Sequence, residues 1–205
     1  MTDMARRTAA EMLGTALLVA VVIGSGIMGN TLATGAALAV LITIFGPVSG
    51  AHFNPVVSAS LAWRRVISWR ECLYYTVAQV AGAVIGVLLA HIMFDLPLVS
   101  YSTHVRTGAG VWLGEVIATA GLLLTIMGCG KSSPDRVPYA VALFIVAGYW
   151  FTSSTSFANP AVTLARALTD SFAGIRPDDV PGFVVAQVAG ALLATKLGMW
   201  IFKIK

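Results

Sequence analysis

The feature that most constrains this chain is a series of apolar runs long enough to cross a lipid bilayer. Crossing the hydrocarbon core takes about 20 consecutive apolar residues, and most charged residues of this sequence fall between such runs. Only 11% of the 205 residues are charged, against about 25% in an ordinary soluble domain. We therefore predict an all-α membrane protein with six transmembrane spans, at 9–28, 34–50, 71–94, 110–129, 138–153 and 181–203.

Basic residues predict which side of the membrane each segment faces, since Lys and Arg favour cytoplasmic loops. With a cytoplasmic N-terminus, the outer segments carry only Arg106, Arg166 and Arg176. The inner segments carry Arg6, Arg7, Arg64, Arg65, Arg70, Lys131, Arg136, Lys203 and Lys205. We expect a multi-pass protein of the cell membrane with both termini in the cytoplasm and a retained first span. Topology then explains the net charge of +4, and no nucleic-acid partner is implied.

Three landmarks recur in the same order in the two halves of the chain. Glu11 and Glu115 are 104 residues apart, Asn54-Pro55 and Asn159-Pro160 are 105 apart, and the hexapeptide AQVAGA at 78–83 returns 108 residues later. Each half holds three spans, an odd number, so the second half enters the membrane from the opposite side. This predicts a single channel domain made of two inverted repeats, approximately 9–94 and 110–203.

Each Asn-Pro pair begins an apolar stretch, 54–63 or 159–168, that is too short to span the membrane. Asn is a favoured helix N-cap and Pro a favoured first helical residue. Irregular backbone is tolerated at membrane depth only inside protein or beside a water-filled cavity. We therefore predict two re-entrant half-helices that meet at the midplane beside a pore. Their positive dipole ends oppose cations, and we expect the amide N–H donors of Asn54 and Asn159 to face the lumen.

These motifs resemble the aquaporin and aquaglyceroporin (major intrinsic protein) family. The resemblance covers nearly the whole chain and rests on the SGAHFNPV segment at 49–56, on Asn159-Pro160-Ala161, on the two glutamates and on the two Gln-x-x-Gly-Ala segments. It implies that Glu11 and Glu115 accept hydrogen bonds that hold the half-helix loops, and that His52 braces the first loop. It also implies a homotetramer in the lipid bilayer that passes small neutral solutes without a cofactor.

The chain departs from the family pattern at the outer selectivity filter. Val162 stands where the family usually has an arginine, and the family spacing places the other filter positions at Thr34, Ala147 and Ser156, with Gly148 replacing Ala147 if the register slips by one. Small, uncharged residues at these positions resemble the metalloid-permeating members, in particular the bacterial aquaglyceroporins associated with arsenic resistance. We predict a wide channel for water, glycerol-like polyols and neutral metalloid acids such as arsenous acid. Methylated arsenicals are a further hypothesis, and a water-selective aquaporin is the alternative.

Arg166 has two interpretations. It lies seven residues after Asn159 and four after Val162, on the same helix face and one turn nearer the outside. In the first interpretation it lines the outer vestibule and restores part of the positive potential that the missing filter arginine would supply. In the second it forms a salt bridge with one of the acidic residues of the outer loop, which are Asp170, Asp178 and Asp179.

Two other classes of function share some of these features. A secondary transporter also has inverted repeats and broken helices, but coupling an ion needs intramembrane charge, and the only candidates, Glu11 and Glu115, suit bracing. An intramembrane enzyme would need a converging set of catalytic side chains, which the sequence does not supply. Cys72 and Cys129 both fall at cytoplasmic span ends, so we expect free thiols and no metal site. The chain is therefore predicted to be a channel and not an enzyme.

Overall fold

The computed structural model describes residues 3–204, and this part of the chain is helical without a β-strand. Lys205, counted above with the inner basic residues, lies outside the described range. Six long helices and two short ones follow the predicted order, which confirms the fold class. They are α1 (Asp3–Ile27), α2 (Leu32–Ser49), α3 (Pro55–Trp63), α4 (Trp69–Met93), α5 (Ala109–Ser132), α6 (Val137–Phe151), α7 (Pro160–Arg166) and α8 (Val180–Ile201).

The long helices match the predicted spans with small differences at their ends. Five described helices, α1, α2, α4, α5 and α8, are long and apolar enough to cross a membrane. The sixth, α6, has 15 residues and ends where the irregular approach to α7 begins. Helix α1 starts at Asp3, well before the apolar run, because Arg7 continues the helix and pairs with Glu71 of α4 at 2.5 Å.

Helix α1 packs along α4, and α5 packs along α8, through glycines of the repeated hexapeptide. Gly82 on α4 lies against the backbone carbonyl of Met12, and Gly190 on α8 lies against that of Val116. A side chain at either position would collide with backbone that cannot move aside. Small residues of this kind let membrane helices approach closely, so each half of the chain is built on one tight helix pair.

The two short helices lie inside the frame formed by the long ones. Both α3 and α7 contact α4 and α8, and they contact each other. The first begins one residue after Asn54 and the second one residue after Asn159, as the N-cap and Pro signals predicted. Helix α7 ends at Arg166, two residues before the predicted boundary, and six of its seven residues are buried. The Asn-Pro pairs therefore lie in the centre of the molecule.

Candidate functional site

Both asparagines cap their half-helices with the side-chain oxygen. Asn54 has extended backbone and its Oδ1 accepts from the backbone N–H of Val56 at 3.1 Å. Asn159 does the same for Ala161 at 3.0 Å and for Val162 at 3.3 Å. The first-turn N–H groups that have no partner within a helix are satisfied in this way. Each half-helix thus starts at the residue that the sequence indicated.

The amide nitrogens of these two caps join the half-helices to each other. Nδ2 of Asn54 donates to the carbonyl oxygen of Ala158 at 2.7 Å, and Nδ2 of Asn159 donates to that of Phe53 at 2.8 Å. The expectation that both amide hydrogens face the lumen is therefore wrong. One hydrogen of each amide binds the backbone of the opposite half, and only the second is left for a solute.

The segments that lead into the two caps have backbone in the left-handed region. Phe53 and Ala158, the residues just before each asparagine, have φ of 48° and 49°. Ala51, Thr155 and Ser156 also have positive φ. Such conformations cost a non-glycine residue on the order of 1–3 kcal/mol and persist only where surrounding contacts hold them. At Phe53 and Ala158 these contacts come from the two buried glutamates.

Glu11 is fully buried and accepts four hydrogen bonds. Its donors are the backbone N–H groups of His52 at 2.9 Å and Phe53 at 2.7 Å, the Ser49 hydroxyl at 2.6 Å and Gln79 Nε2 at 2.7 Å. These donors belong to α2, to the approach segment and to α4. One carboxylate on α1 therefore ties three parts of the first half together and saturates its own acceptor sites.

Glu115 has the corresponding position in the second half and is also fully buried. It accepts from the backbone N–H groups of Phe157 at 2.9 Å and Ala158 at 2.8 Å, and from Gln187 Nε2 at 2.7 Å. Each of the two carboxylates therefore accepts from two backbone N–H groups and one glutamine. That glutamine belongs to the repeated hexapeptide, the third landmark of the sequence repeat.

His52 contacts several parts of the first half. Its Nδ1 lies 2.9 Å from the Ser58 hydroxyl on α3, and its ring packs edge-on against Tyr75 with the ring centroids 5.1 Å apart. The Tyr75 hydroxyl in turn donates to the Ser49 carbonyl at 2.8 Å. The imidazole therefore connects the approach segment to α3 and α4.

A cavity of about 120 Å³ is lined by both asparagines. One water needs roughly 10–15 Å³ of such volume, so the cavity accommodates a file of several waters. Its polar lining comes from both halves of the chain, namely from Thr34, His52, Asn54, Tyr149, Ser156, Asn159 and Arg166. The remaining wall is apolar and includes Leu38, Ile42, Val57, Leu61, Leu122, Ile126, Val137, Val141 and Ile145.

The structure places three of the four sequence-predicted filter residues on this cavity, namely Thr34, Ser156 and Val162. The prediction that Ala147 lines the filter is wrong, because this residue is exposed on the side of α6 that faces away from the cavity. The cavity face of α6 carries Ile145 and Tyr149, one turn apart, and at 100° per residue Ala147 points about 160–200° away from both. Gly148, the alternative if the register slips by one, is buried against Ser156 and is not among the residues that line the cavity.

Arg166 lines both the cavity and the vestibule outside it. The side chain is only 3% exposed, its Nε donates to the carbonyl oxygen of Ala173, and its guanidinium carbon lies 3.3 Å from the centre of the Phe157 ring. Within residues 3–204, Ala173 is the one hydrogen-bond acceptor of this guanidinium. The side chain therefore packs on Phe157 and binds a backbone carbonyl of the outer loop, not a carboxylate of that loop.

The salt bridge proposed for Arg166 is wrong, because the acidic residues of the outer loop have other partners. Asp179 pairs with Arg176 at 2.9 Å, and Asp178 lies 3.9 Å from the same arginine. Asp170 accepts from the backbone N–H and the hydroxyl of Thr103 at 2.8 and 3.0 Å. These hydrogen bonds hold the pKa of Asp170 below its ordinary value.

Tyr149 lines the site and was not singled out from the sequence. It contacts the cavity and the outer vestibule. The signal that identifies it is the four-residue spacing from Ile145, which puts both on one face of α6.

Six long helices around two capped half-helices that meet beside a cavity form a passive transmembrane channel.

The comparisons with known proteins place this channel in a family. The family model described as Major intrinsic protein matches residues 1–136. Aquaglyceroporin AqpS of Rhizobium meliloti (strain 1021) is 52% identical over 214 residues, which cover 98% of this chain and 92% of that protein. The chain therefore belongs to the major intrinsic protein family, a family of channels for small neutral solutes such as water and glycerol and not of enzymes.

Two further relatives agree with this assignment. A probable glycerol uptake facilitator protein of Thermotoga maritima is 28% identical over 233 residues, covering 94% of this chain and 98% of the relative. The X-ray structure of the aquaglyceroporin from Plasmodium falciparum has the same fold, with a TM-score of 0.75, 22% identity, and coverage of 98% of this chain and 96% of that one.

Proposed function

We propose that this chain passes uncharged solutes larger than water, namely glycerol-like polyols and neutral metalloid acids such as arsenous acid. The observation that carries the proposal is the small, uncharged side chains of Thr34, Ser156 and Val162 on the channel cavity, with Val162 at the position where the family usually has an arginine. The names of the relatives, an aquaglyceroporin and a probable glycerol uptake facilitator, support it. Methylated arsenicals extend the same size argument.

Hydrogen bonding along one side of the cavity suits a hydroxylated solute. Asn54 and Asn159 each retain one amide hydrogen after binding the opposite half. The buried Ser156 hydroxyl has no protein partner among the described residues. A polyol or arsenous acid has several hydroxyl groups that bind such donors in turn, while its less polar side faces the aliphatic wall. Arsenous acid is neutral at pH 7, so the dipole ends of the half-helices do not oppose it.

We further propose that both termini face the cytoplasm, that the chain forms a homotetramer in the bilayer, and that its two inverted repeats form a single channel domain. Exposed Arg6, Arg65 and Arg70 support the orientation, since basic residues favour the cytoplasmic side. The matching hydrogen bonds of Glu11 and Glu115 support the repeats. The tetramer rests on the family.

Replacing Val162 with Arg tests the size argument. The longer side chain narrows the outer end of the cavity, so we expect glycerol and arsenous acid permeability to fall about tenfold, which corresponds to ~1.4 kcal/mol in the barrier, while water permeability falls much less. Stopped-flow light scattering of proteoliposomes measures the three rates under identical osmotic gradients.

Val162→Leu is the matched control, because it adds bulk without charge or donors. Like Val162→Arg, it should lower the permeability to glycerol and arsenous acid, and it should leave the water permeability nearly unchanged. An equal loss of all three solutes in Val162→Arg, or no change in any of them, contradicts a size limit at this position. A wild-type protein that passes water but neither larger solute supports the water-selective alternative.

A further inference from the structure

The vestibule outside Arg166 is a second cavity of about 440 Å³. Arg166 and Tyr149 lie at its inner end, where it adjoins the channel cavity, and Ser25, Thr31 and Thr155 contribute hydroxyl groups to its lining. A solute that enters the channel from this side passes these polar side chains first. The vestibule is therefore placed to bind a molecule at the channel entrance.

Two arginines contact one aromatic ring beside this vestibule. The guanidinium carbon of Arg166 lies 3.3 Å from the centre of the Phe157 ring, and that of Arg106 lies 5.1 Å from it. Arg106 donates from Nε to the Gly174 carbonyl at 2.7 Å, from Nη2 to the Phe172 carbonyl at 3.0 Å and from Nη1 to the Thr155 hydroxyl at 3.4 Å. All of these acceptors are neutral.

No carboxylate in residues 3–204 pairs with either guanidinium. Asp179 accepts from the backbone N–H of Arg106 at 2.8 Å, but its charge is paired with Arg176. Glu115 accepts from two backbone N–H groups and from Gln187, and it forms no salt bridge with either arginine. Burial lowers the pKa of Arg106, and the charge of Glu115 opposes that change only in part.

A buried charge without a counter-ion is costly, and arginine does not escape that cost by losing its proton. Arg166 is only 3% exposed to solvent. Of its three guanidinium nitrogens, only Nε has a protein acceptor among the described residues. The two terminal nitrogens belong to a planar fork that matches the oxygens of an oxyanion. One arginine would be enough to repel cations from the entrance, so the presence of two arginines needs a further explanation.

We propose that the outer vestibule binds one small oxyanion of about the size of phosphate, with Arg166 as the residue that contacts it and Arg106 strengthening the positive field. Hydroxyl groups of Tyr149 and Thr155 are available as further donors on the same cavity. The bound oxyanion lies across the entrance and slows the passage of neutral solutes. External oxyanion thus regulates a channel that does not itself carry charge.

Calorimetric titration of the purified full chain with inorganic phosphate tests the site directly, at pH 7 and constant ionic strength with gluconate as the background anion. We expect saturable binding of one phosphate per chain, and at least tenfold weaker binding in Arg166→Gln. Arg6→Gln removes one exposed positive charge at the far end of α1 and should bind phosphate like the wild type. This measurement does not depend on which neutral solute the channel carries.

Flux measurements test the regulatory part. External phosphate should reduce the glycerol permeability of wild-type proteoliposomes several-fold and leave that of Arg166→Gln unchanged. If Arg166→Gln does not fold, Arg106→Gln decides the matter and should bind phosphate several-fold more weakly. Absence of saturable binding to the wild type, or equal binding by the wild type and the arginine variant that folds, overturns the proposal.

Discussion

Single side chains control the meeting point of the two half-helices. Asn54 and Asn159 each use one atom for the helix they begin and another for the opposite half. Capping by an asparagine contributes typically ~1 kcal/mol, and a buried carbonyl left without its donor costs about 1–3 kcal/mol. Each asparagine therefore stabilises its own helix and holds the other half in register, while offering one hydrogen to a solute.

Asn159→Asp separates these roles. Aspartate keeps the capping oxygen but removes the donor to the Phe53 carbonyl and brings a negative charge to the cavity. We expect a stability loss of about 1–3 kcal/mol from the unsatisfied carbonyl, together with a new cation conductance, because the charge offsets the positive helix ends. Thermal unfolding in detergent and electrical recordings in planar bilayers measure the two effects.

Asn30→Asp is the control for this change, because it introduces the same charge at an exposed turn and should alter neither property. An Asn159→Asp protein that stays as stable as the wild type and conducts no cations would show that the half-helix join does not depend on the amide donor.

At the scale of elements, the approach segments are strained and the glutamates compensate for that strain. The segment before α7 has positive φ at Thr155, Ser156 and Ala158, and Glu115 accepts from the N–H groups of Phe157 and Ala158. The carboxylate is itself held by Gln187 on α8. The half-helix is thus positioned by contacts to α5 and α8 and not by its own helical propensity, since a helix of 7 residues is too short to be stable alone.

Glu115→Gln should therefore displace α7. A glutamine presents one oxygen and one NH2 where three donors converge, so at least one backbone N–H or the Gln187 amide loses its acceptor. We expect a loss of about 1–3 kcal/mol per unsatisfied group and a marked fall in permeability to every solute. Unfolding in increasing SDS, followed by circular dichroism, measures stability.

Asp95→Asn is the matched control. Asp95 is exposed and has positive φ, a conformation that asparagine also tolerates, so the same loss of charge should change stability little. If Glu115→Gln unfolds like the wild type and keeps its permeability, the carboxylate is not what holds the approach segment.

At the scale of the whole molecule, the lining of the cavity argues for passive transport. Its ionisable lining residues are His52, Tyr149 and Arg166, and no carboxylate lines it in the described chain. The intramembrane acids Glu11 and Glu115 are enclosed by donors on all sides. Coupling to a proton gradient needs a group that exchanges protons with both sides of the membrane, and neither glutamate is exposed to the cavity.

We expect glycerol entry into vesicles to be unchanged by a protonophore and to increase in proportion to the glycerol gradient without saturation at low concentrations. Radiolabelled uptake with and without an imposed pH gradient provides the measurement, and empty liposomes provide the background. Uptake that stops when the protonophore is added would identify a secondary transporter in place of a channel.

Local signals in the sequence were sufficient for the elements. The apolar runs predicted six long helices, and Asn-Pro predicted the starts of α3 and α7, because N-cap and first-turn preferences act within a few residues. The offset of 104 to 108 residues between landmarks predicted two related halves, and the same landmarks meet in the hydrogen bonds of Glu11 and Glu115. The residues of α6 that face the cavity, Ile145 and Tyr149, were beyond the sequence, since they depend on how α6 is rotated about its axis.

The sequence by itself thus determined the membrane environment, the order of the helices and the two half-helix starts, because hydropathy and capping are local properties. Only the tertiary structure decided the direction of side chains that are long or that carry several hydrogen-bonding atoms. Arg166 packs on Phe157 and donates to the Ala173 carbonyl instead of pairing with an acidic residue of the outer loop, and the amides of Asn54 and Asn159 bind the opposite half. These outcomes depend on partners more than 100 residues away or on the rotamer of a flexible chain, and no local pattern specifies either.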